Sequence, residues 1–430
     1  MMTNLYDNKY FVNNSLRKEL KGWSLFSLFF VVVYFFPLFP VFPWFNSKIA
    51  YLPLVFLPLL VAVVRKIPSK TYGFGPFFFC FGMFFLHVFA EIADARDGTY
   101  INSITTSASK LFNLLVYFSY FFYFTKYEKS WRLLRPSVIF FVLVTFLYVV
   151  VEVFFFDYFS FFIHFFYERD SVEILSEIGN SFFFTSYFAA HIYLLLFSLC
   201  LSFLVFIKQA KWLLFSLLSL ALVFLSQSKT GLVSVAIIVL VICFFGLSFR
   251  HSLAILLVIF SLVFAVFLVI DFSDYYVYRS TNALLEGRSN SLAIRINQIL
   301  FSFEQVKNNG YLFGVGSSRG LLLESWIASY LYQYGFLGLM VYMLFWLYLV
   351  WSSWSAYKLI HKSSPIFKSF AMASFSWFSI IPVISLSTSV WDVPKNGFFV
   401  FVCLAAVNAL RYKYSAKAVQ RCPEGSTPCI

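Results

Sequence analysis

The run FFFTSYFAAHIYLLLFSLCLSFLVF, residues 182–206, contains no Asp, Glu, Lys or Arg. As a helix it is about 37 Å long, enough to cross a hydrocarbon core of about 30 Å. Lys208 and Lys211 follow it, then an apolar run at 212–226, a short polar hinge, and another apolar run at 231–248. The pattern repeats in both directions. Runs near 24–43, 49–64, 74–91, 109–125 and 136–156 precede it, and runs near 252–270, 326–350, 366–388 and 396–410 follow, which makes 12. Composition points the same way, with 61% of residues hydrophobic and 12% charged. Soluble domains sit near 45–50% apolar and about 25% charged, and an excess of this size cannot be hidden in a water-soluble core. The expectation is an all-α polytopic membrane protein, residues 1–430 forming one integral membrane domain.

Charge fixes the orientation. With the N-terminus inside, the inside segments carry 21 of the 32 basic residues and 4 of the 19 acidic ones. Lys126, Lys129, Arg132 and Arg135 lie in one such segment, Lys358, Lys362 and Lys368 in another, and Arg411, Lys413, Lys417 and Arg421 in the tail. Every inside segment is net positive, which is the positive-inside rule and requires both termini to be cytoplasmic. The net charge of +13 is thereby explained without nucleic acid. The N-terminal run follows a polar, basic stretch and is too long for a cleavable signal. Cys80, Cys200, Cys243 and Cys403 fall in expected spans, and Cys422 and Cys429 fall in the tail. No CxxC pair suggests a metal or a disulfide frame, and no ATP-binding loop is visible.

Two outside loops are long, 157–181 and 271–325, and long loops without spans of their own are usually functional. Loop 271–325 breaks the charge trend with Arg279, Arg288, Arg295, Lys307 and Arg319. Two explanations stand: an anionic ligand, or solvation and pairing with Asp271, Asp274, Glu286 and Glu304. Within the loop, Ser289–Lys307 reads as an amphipathic helix, with Leu292, Ile296, Ile299, Phe303 and Val306 on one face. Arg288 and Arg295, two turns apart, flank that face, and a helix lying on the membrane surface would aim both at the headgroup layer. Gly314 and Gly316 either let backbone N–H groups approach an anion or make a re-entry turn. Glu324 opens the next span, as a base for a sugar hydroxyl or as a helix N-terminal acid. The hinge Ser226-Gln227-Ser228-Lys229-Thr230-Gly231 carries one cation and is a site element or a plain turn. Loop 157–181 is acidic, through Asp157, Glu168, Asp170, Glu173 and Glu177, and either lines a sugar cleft or is a solvated face. His87, His164 and His191 are scattered, and Glu91 and Glu152 fall in apolar surroundings.

Four stretches carry a family resemblance: SQSKTGLVSV at 226–235, AIRINQILFSFEQVKNNGYLFGVGSS at 293–318, ESWIASYLYQYGFLGLMVYM at 324–343 and SEIGNSFFFTSYFAAHI at 176–192. Together they cover about a quarter of the chain and resemble the O-antigen polymerase and O-antigen ligase superfamily. Lys229 stands where the family more often has Arg. Glu324-Ser325 stands where the ligase branch shows a His-Asn pair, which favours the polymerase branch. The resemblance implies a GT-C-like fold with about 12 transmembrane helices and 271–325 as a large periplasmic catalytic loop. It implies an inverting glycosyltransferase of the bacterial inner membrane that needs no metal, nucleotide or other cofactor. The substrate would be an oligosaccharide on undecaprenyl pyrophosphate, with a chain-length regulator protein among the candidate partners. Arg288 and Arg295 would serve catalysis and hold the pyrophosphate together with Arg279, Arg319 and Lys229. Glu324 would orient or deprotonate the acceptor. A flippase of lipid-linked oligosaccharide and an O-antigen ligase are the alternatives.

Overall fold

The computed structural model describes residues 72–94, 101–126, 128–155, 158, 179, 186–246, 290–309, 312–315, 323–360, 364–387 and 394–421. These residues form helices and connecting turns, with no strand among them. The helices are α1 (Phe74–Asp94), α2 (Ile101–Lys126), α3 (Glu128–Phe154), α4 (Ser186–Ile207), α5 (Lys211–Leu225), α6 (Lys229–Gly246), α7 (Asn290–Asn309), α8 (Trp326–Leu359), α9 (Pro365–Ser379), α10 (Ile381–Ile384) and α11 (Pro394–Arg421). Nine of the expected spans overlap described helices, namely α1–α6, α8 (which is broken at Gly335), α9–α10 and α11. The expected spans 24–43, 49–64 and 252–270 lie outside the described residues, as does nearly all of loop 157–181.

Among the described residues, 6 helices are long and apolar enough to cross a membrane, and α1, α2 and α5 contain shorter apolar stretches. Large apolar side chains stand exposed around the bundle, including Phe74, Phe85, Leu147, Phe154, Val233, Phe244, Leu344 and Leu347. Surfaces of that kind suit lipid. The chain is therefore a helical, membrane-embedded protein.

The centre is formed by α4, α9 and α11, with α2 and α5 packed against α11 and α4. Lipid gives no hydrophobic drive for helices to associate, so close packing and interhelical hydrogen bonds must hold them. The α4–α9 seam shows both. Ala371, Ala373, Ser374 and Ser376 are fully buried, and Ser198 Oγ lies 2.9 Å from Ala373 O and 2.5 Å from Ser376 Oγ. Ser-rich helices survive here because the hydroxyls of Ser119, Ser216, Ser219, Ser353 and Ser369 donate to carbonyls four residues back on their own helix.

One end of the bundle is locked by a polar network on α11. Arg411 is buried, and its guanidinium carbon sits 4.6 Å from the Tyr72 ring centre and 4.3 Å from that of Trp351. Arg411 Nη1 donates to Ser352 Oγ (3.2 Å) and to Asn408 Oδ1 (3.1 Å). Asn408 Nδ2 donates to the Tyr117 hydroxyl (3.0 Å) and the Tyr348 hydroxyl (3.2 Å). Both tyrosines donate to Tyr72 O. Arg411, expected as a cation of the tail, is thus an interior residue.

The expected single span at 326–350 is corrected. Residues sixteen apart on a straight helix are separated by about 24 Å, yet the rings of Trp326 and Tyr342 stack at 4.1 Å and 13°. Gly335 (φ 64, ψ −161) breaks α8, and the arm 326–334 folds back along the arm 336–359. The broken backbone is satisfied by the segment before it. Val315 N–H donates to Tyr332 O (2.7 Å), and Leu337 N–H donates to Leu312 O (3.3 Å). Gly314 (φ 72) is pressed on Gly335, and a Cβ on either would come within 2.5 Å of the other segment's backbone. Gly314 therefore serves the re-entry turn.

Contacts between α1 and α8 set depth along the bundle. Gly75 faces Tyr348, Phe79 stacks on Phe345, Gly82 faces Val341, and His87 Nδ1 lies 3.3 Å from the Tyr334 hydroxyl. On this scale Gly335 marks the rim opposite Arg411. Trp326, level with Tyr342, lies about 10 Å further in. α5 has 15 residues, about 22 Å, so the hinge after it also stops short of a full crossing.

Candidate functional site

The hinge between α5 and α6 is a buried turn. Gln227 has φ 50, and Ser226, Gln227 and Ser228 are all nearly inaccessible. Ser228 caps α6 by accepting from Gly231 N–H (3.2 Å). A Cβ on Gly231 would sit 3.0 Å from Ala190 Cβ, so the hinge is seated on α4 beside His191. Lys229 opens α6 at this point and lies within electrostatic reach of the Arg295 guanidinium on α7.

The expected amphipathic helix is present as α7, but it packs by a different face. Arg295, Gln298, Ile299, Ser302 and Val306 turn toward the protein, while Ile296, Leu300 and Phe303 stay exposed. Val306 packs with Val315, Leu331 and Tyr332, so α7 runs beside the folded-back arm of α8. Phe303 contacts Phe336 edge-on (6.1 Å), which joins the exposed flank of α7 to the exposed stripe Phe336, Met340, Leu344 and Leu347. The helix thus lies against the side of the bundle, with its apolar flank continuous with the lipid-suited surface. This burial pattern turns the packed face away from Ile296 and Phe303 of the expected apolar face. Tertiary packing on α8 selects the small and polar line through Ser302 and leaves the larger apolar residues to face outward.

That packing brings Arg295 to the start of α8. Arg295 Nε lies 3.8 Å from Glu324 Oε2, with the two side chains 26% and 48% exposed. Glu324 N–H donates to Gln298 Oε1 (3.2 Å). Three expected site residues from three separate segments, Lys229, Arg295 and Glu324, therefore converge at the recessed end of the folded-back arm. Arg295 faces the carboxylate and Lys229 lies within electrostatic reach of Arg295, so the three charges together are net positive. Arg279, Arg288 and Arg319, and Gly316 with them, lie outside the described residues.

Beneath the charges lies a polar floor that sequence reasoning did not find. Ser325 stands at the helix cap position, yet its hydroxyl caps nothing. Ser325 Oγ, Trp326 Nε1 and Arg295 Nε are sealed from solvent with no hydrogen-bond partner among the described residues. Trp326 N–H donates to Ser385 O (3.3 Å), which brings the end of α10 to the same place. Next to Ala190, on which the hinge is seated, His191 stacks on Trp377 (4.5 Å, 25°), and Asn396 Nδ2 lies 3.1 Å from His191 Nδ1. The only prior signal for this floor was the density of serines near 325 and 385, which in an apolar run looks like ordinary packing.

Such an arrangement can hold a multiply charged oxyanion against Lys229 and Arg295 and can take a proton from a hydroxyl at Glu324. Among the described residues, no three His, Cys, Asp or Glu side chains gather as a metal site would require. Comparison with known protein families and with curated proteins finds no match for this chain.

Proposed function

We propose that the protein polymerises lipid-linked oligosaccharide repeat units at the outer face of a bacterial inner membrane, making O-antigen or capsular polysaccharide. In this reading the chain crosses the membrane about 12 times with both termini in the cytoplasm. The hinge end of the bundle faces the periplasm, together with loops 157–181 and 271–325. The observation that carries the proposal is the meeting of Lys229, Arg295 and Glu324 in a recess whose outer flank is apolar. A substrate with a phosphorylated headgroup and a lipid tail fits that pairing of cations with lipid-suited surface.

The acceptor hydroxyl gives its proton to Glu324 while its oxygen attacks the anomeric carbon of the growing glycan from the face opposite the phosphate. The new glycosidic bond forms as the bond from carbon to phosphate oxygen breaks, inverting the centre. The departing undecaprenyl pyrophosphate carries the electron pair, and Arg295 and Lys229 stabilise its growing charge. Arg288, with Arg279 and Arg319, completes the anion site from the rest of the loop. The activated donor bond supplies the driving force, so the step calls on no nucleotide or metal.

The test is a gel of surface polysaccharide from a strain lacking the protein. Polymerase function predicts collapse of the ladder to core plus one repeat unit, because export and ligation still run. Complete absence of surface repeat, with lipid-linked units accumulating, would instead assign a flippase or a ligase.

A further inference from the structure

We propose that the resting chain fills its own anion site. The Glu324 carboxylate stands in the place of a phosphate oxyanion, and an isoprenyl diphosphate displaces it and swings the arm 326–334 open about Gly335. The inference rests on the lipid-linked diphosphate substrate proposed above.

Three observations support it. The Arg295–Glu324 contact at 3.8 Å is beyond hydrogen-bonding distance and partly exposed, the class of pair that is easily exchanged. Among the described residues, three buried donors on Arg295 and on the first residues of the arm have no acceptor: Arg295 Nε, Ser325 Oγ and Trp326 Nε1. A buried donor without an acceptor costs stability, and a diphosphate brings several strong acceptor oxygens at once. These donors are also sealed from solvent, so no ligand reaches them unless the arm moves.

The arm is built to move. Gly335 joins it to the rest of α8 at a non-helical backbone angle. At its free end it is held by two long hydrogen bonds, Trp326 N–H to Ser385 O at 3.3 Å and Glu324 N–H to Gln298 Oε1 at 3.2 Å, and by the stack of Trp326 on Tyr342. When the diphosphate takes Arg295 and Lys229, the displaced Glu324 becomes available to the acceptor hydroxyl. Substrate binding would thus both open the site and free its base.

The experiment uses the full chain in lipid nanodiscs, with Ser325→Cys in a Cys422→Ser, Cys429→Ser background. Cys80, Cys200, Cys243 and Cys403 are buried and stay. Labelling by a membrane-impermeant maleimide is followed with and without farnesyl diphosphate and inorganic pyrophosphate, whose binding is measured separately. Opening predicts that farnesyl diphosphate raises the labelling rate roughly fivefold, the factor expected for releasing an exposed-class pair. Adding Glu324→Gln should give the raised rate without ligand. Hydrogen exchange on the unsubstituted chain supplies an independent readout, with protection falling over 323–334 and holding over 336–359. Binding of both probes with no change in labelling or exchange would overturn the latch and leave the substrate assignment standing. Failure of either probe to bind would overturn both.

Discussion

The two ends of α8 and α11 carry polar clusters of opposite character. At the Arg411 end the buried guanidinium is sandwiched by Tyr72 and Trp351, and Asn408, Ser352, Tyr117 and Tyr348 close the network around it. At the hinge end, charges are partly exposed, the ion pair is long, and donors of Arg295, Ser325 and Trp326 have no acceptor among the described residues. Arg411 Nε alone lacks a hydrogen-bond partner in the first network. A network satisfied at all but one donor adds rigidity and asks little of a ligand, whereas one with several unmet hydrogen bonds offers them to a ligand. The first cluster therefore belongs to stability and the second to function.

The sharpest way to break this comparison is Arg295→Ala. It should abolish long polymer in a complementation gel while leaving membrane accumulation and thermal unfolding unchanged, because a half-exposed side chain with one long ion pair contributes little to folding. Normal polymer from this variant would remove Arg295 from the site. The converse change is Arg411→Leu. It deletes two cation–π contacts and two charge-assisted hydrogen bonds and strands Asn408 Oδ1, a loss of about 3–5 kcal/mol. Unfolding in mild detergent should shift down by several degrees, and Arg411→Lys should recover little of it, because an ammonium cannot stack as a planar guanidinium does. If Arg411→Leu unfolds like the parent, the idea that completeness marks a structural cluster fails.

Gly335→Ala tests whether the hinge end depends on the broken helix. The added Cβ would fall 2.5 Å from Leu312 O, at a φ of +64. The two segments must then separate, at a cost of roughly 1–3 kcal/mol. Polymer length should drop sharply, with the stability loss smaller than for Arg411→Leu. Hydrogen exchange should rise over 312–315 and 323–334 and stay unchanged around 408–411. Exchange that rises at both ends would mean that the clusters are coupled.

How much of this was legible follows from what hydropathy can carry. The enclosed helix α4 was plain, because an uncharged run of that length has one stable form in lipid. Charge alternation located the cation-bearing segments, and Lys229, Arg295 and Glu324 stood out as charges at apolar borders. The fold-back at Gly335 was invisible. The residues on both sides of Tyr334-Gly335-Phe336 are apolar, and one continuous apolar run fits a straight helix and a hairpin equally. The face used by α7 was misleading for a related reason. Periodicity finds the apolar side, and in lipid the apolar side can face outward. Arg411 reads as a tail charge because its position beyond the apolar run does not reveal the aromatic rings that enclose it. The orphaned donors at Ser325 and Trp326 exist only once α7, α8 and α10 meet.

The smallest expected effect is at Lys229, and it refines the comparison by asking what the hinge cation contributes. Lys229 is a point charge at the start of α6, on a turn that Ser228 caps. If its role is to offset leaving-group charge next to Arg295, then Lys229→Ala should slow polymerisation about tenfold, within the range for losing one electrostatic contact to a phosphate. Lys229→Arg should match or exceed the parent, since the planar fork can give two parallel bonds where the ammonium gives one. Lys229→Gln separates charge from hydrogen bonding: it keeps a donor, and should resemble Lys229→Ala. The readout is initial polymerisation rate in nanodiscs with equal protein loading. A rate for Lys229→Gln near that of the parent would reassign Lys229 from charge stabilisation to simple hydrogen bonding. Arg295 would then be the only described cation acting on the leaving group.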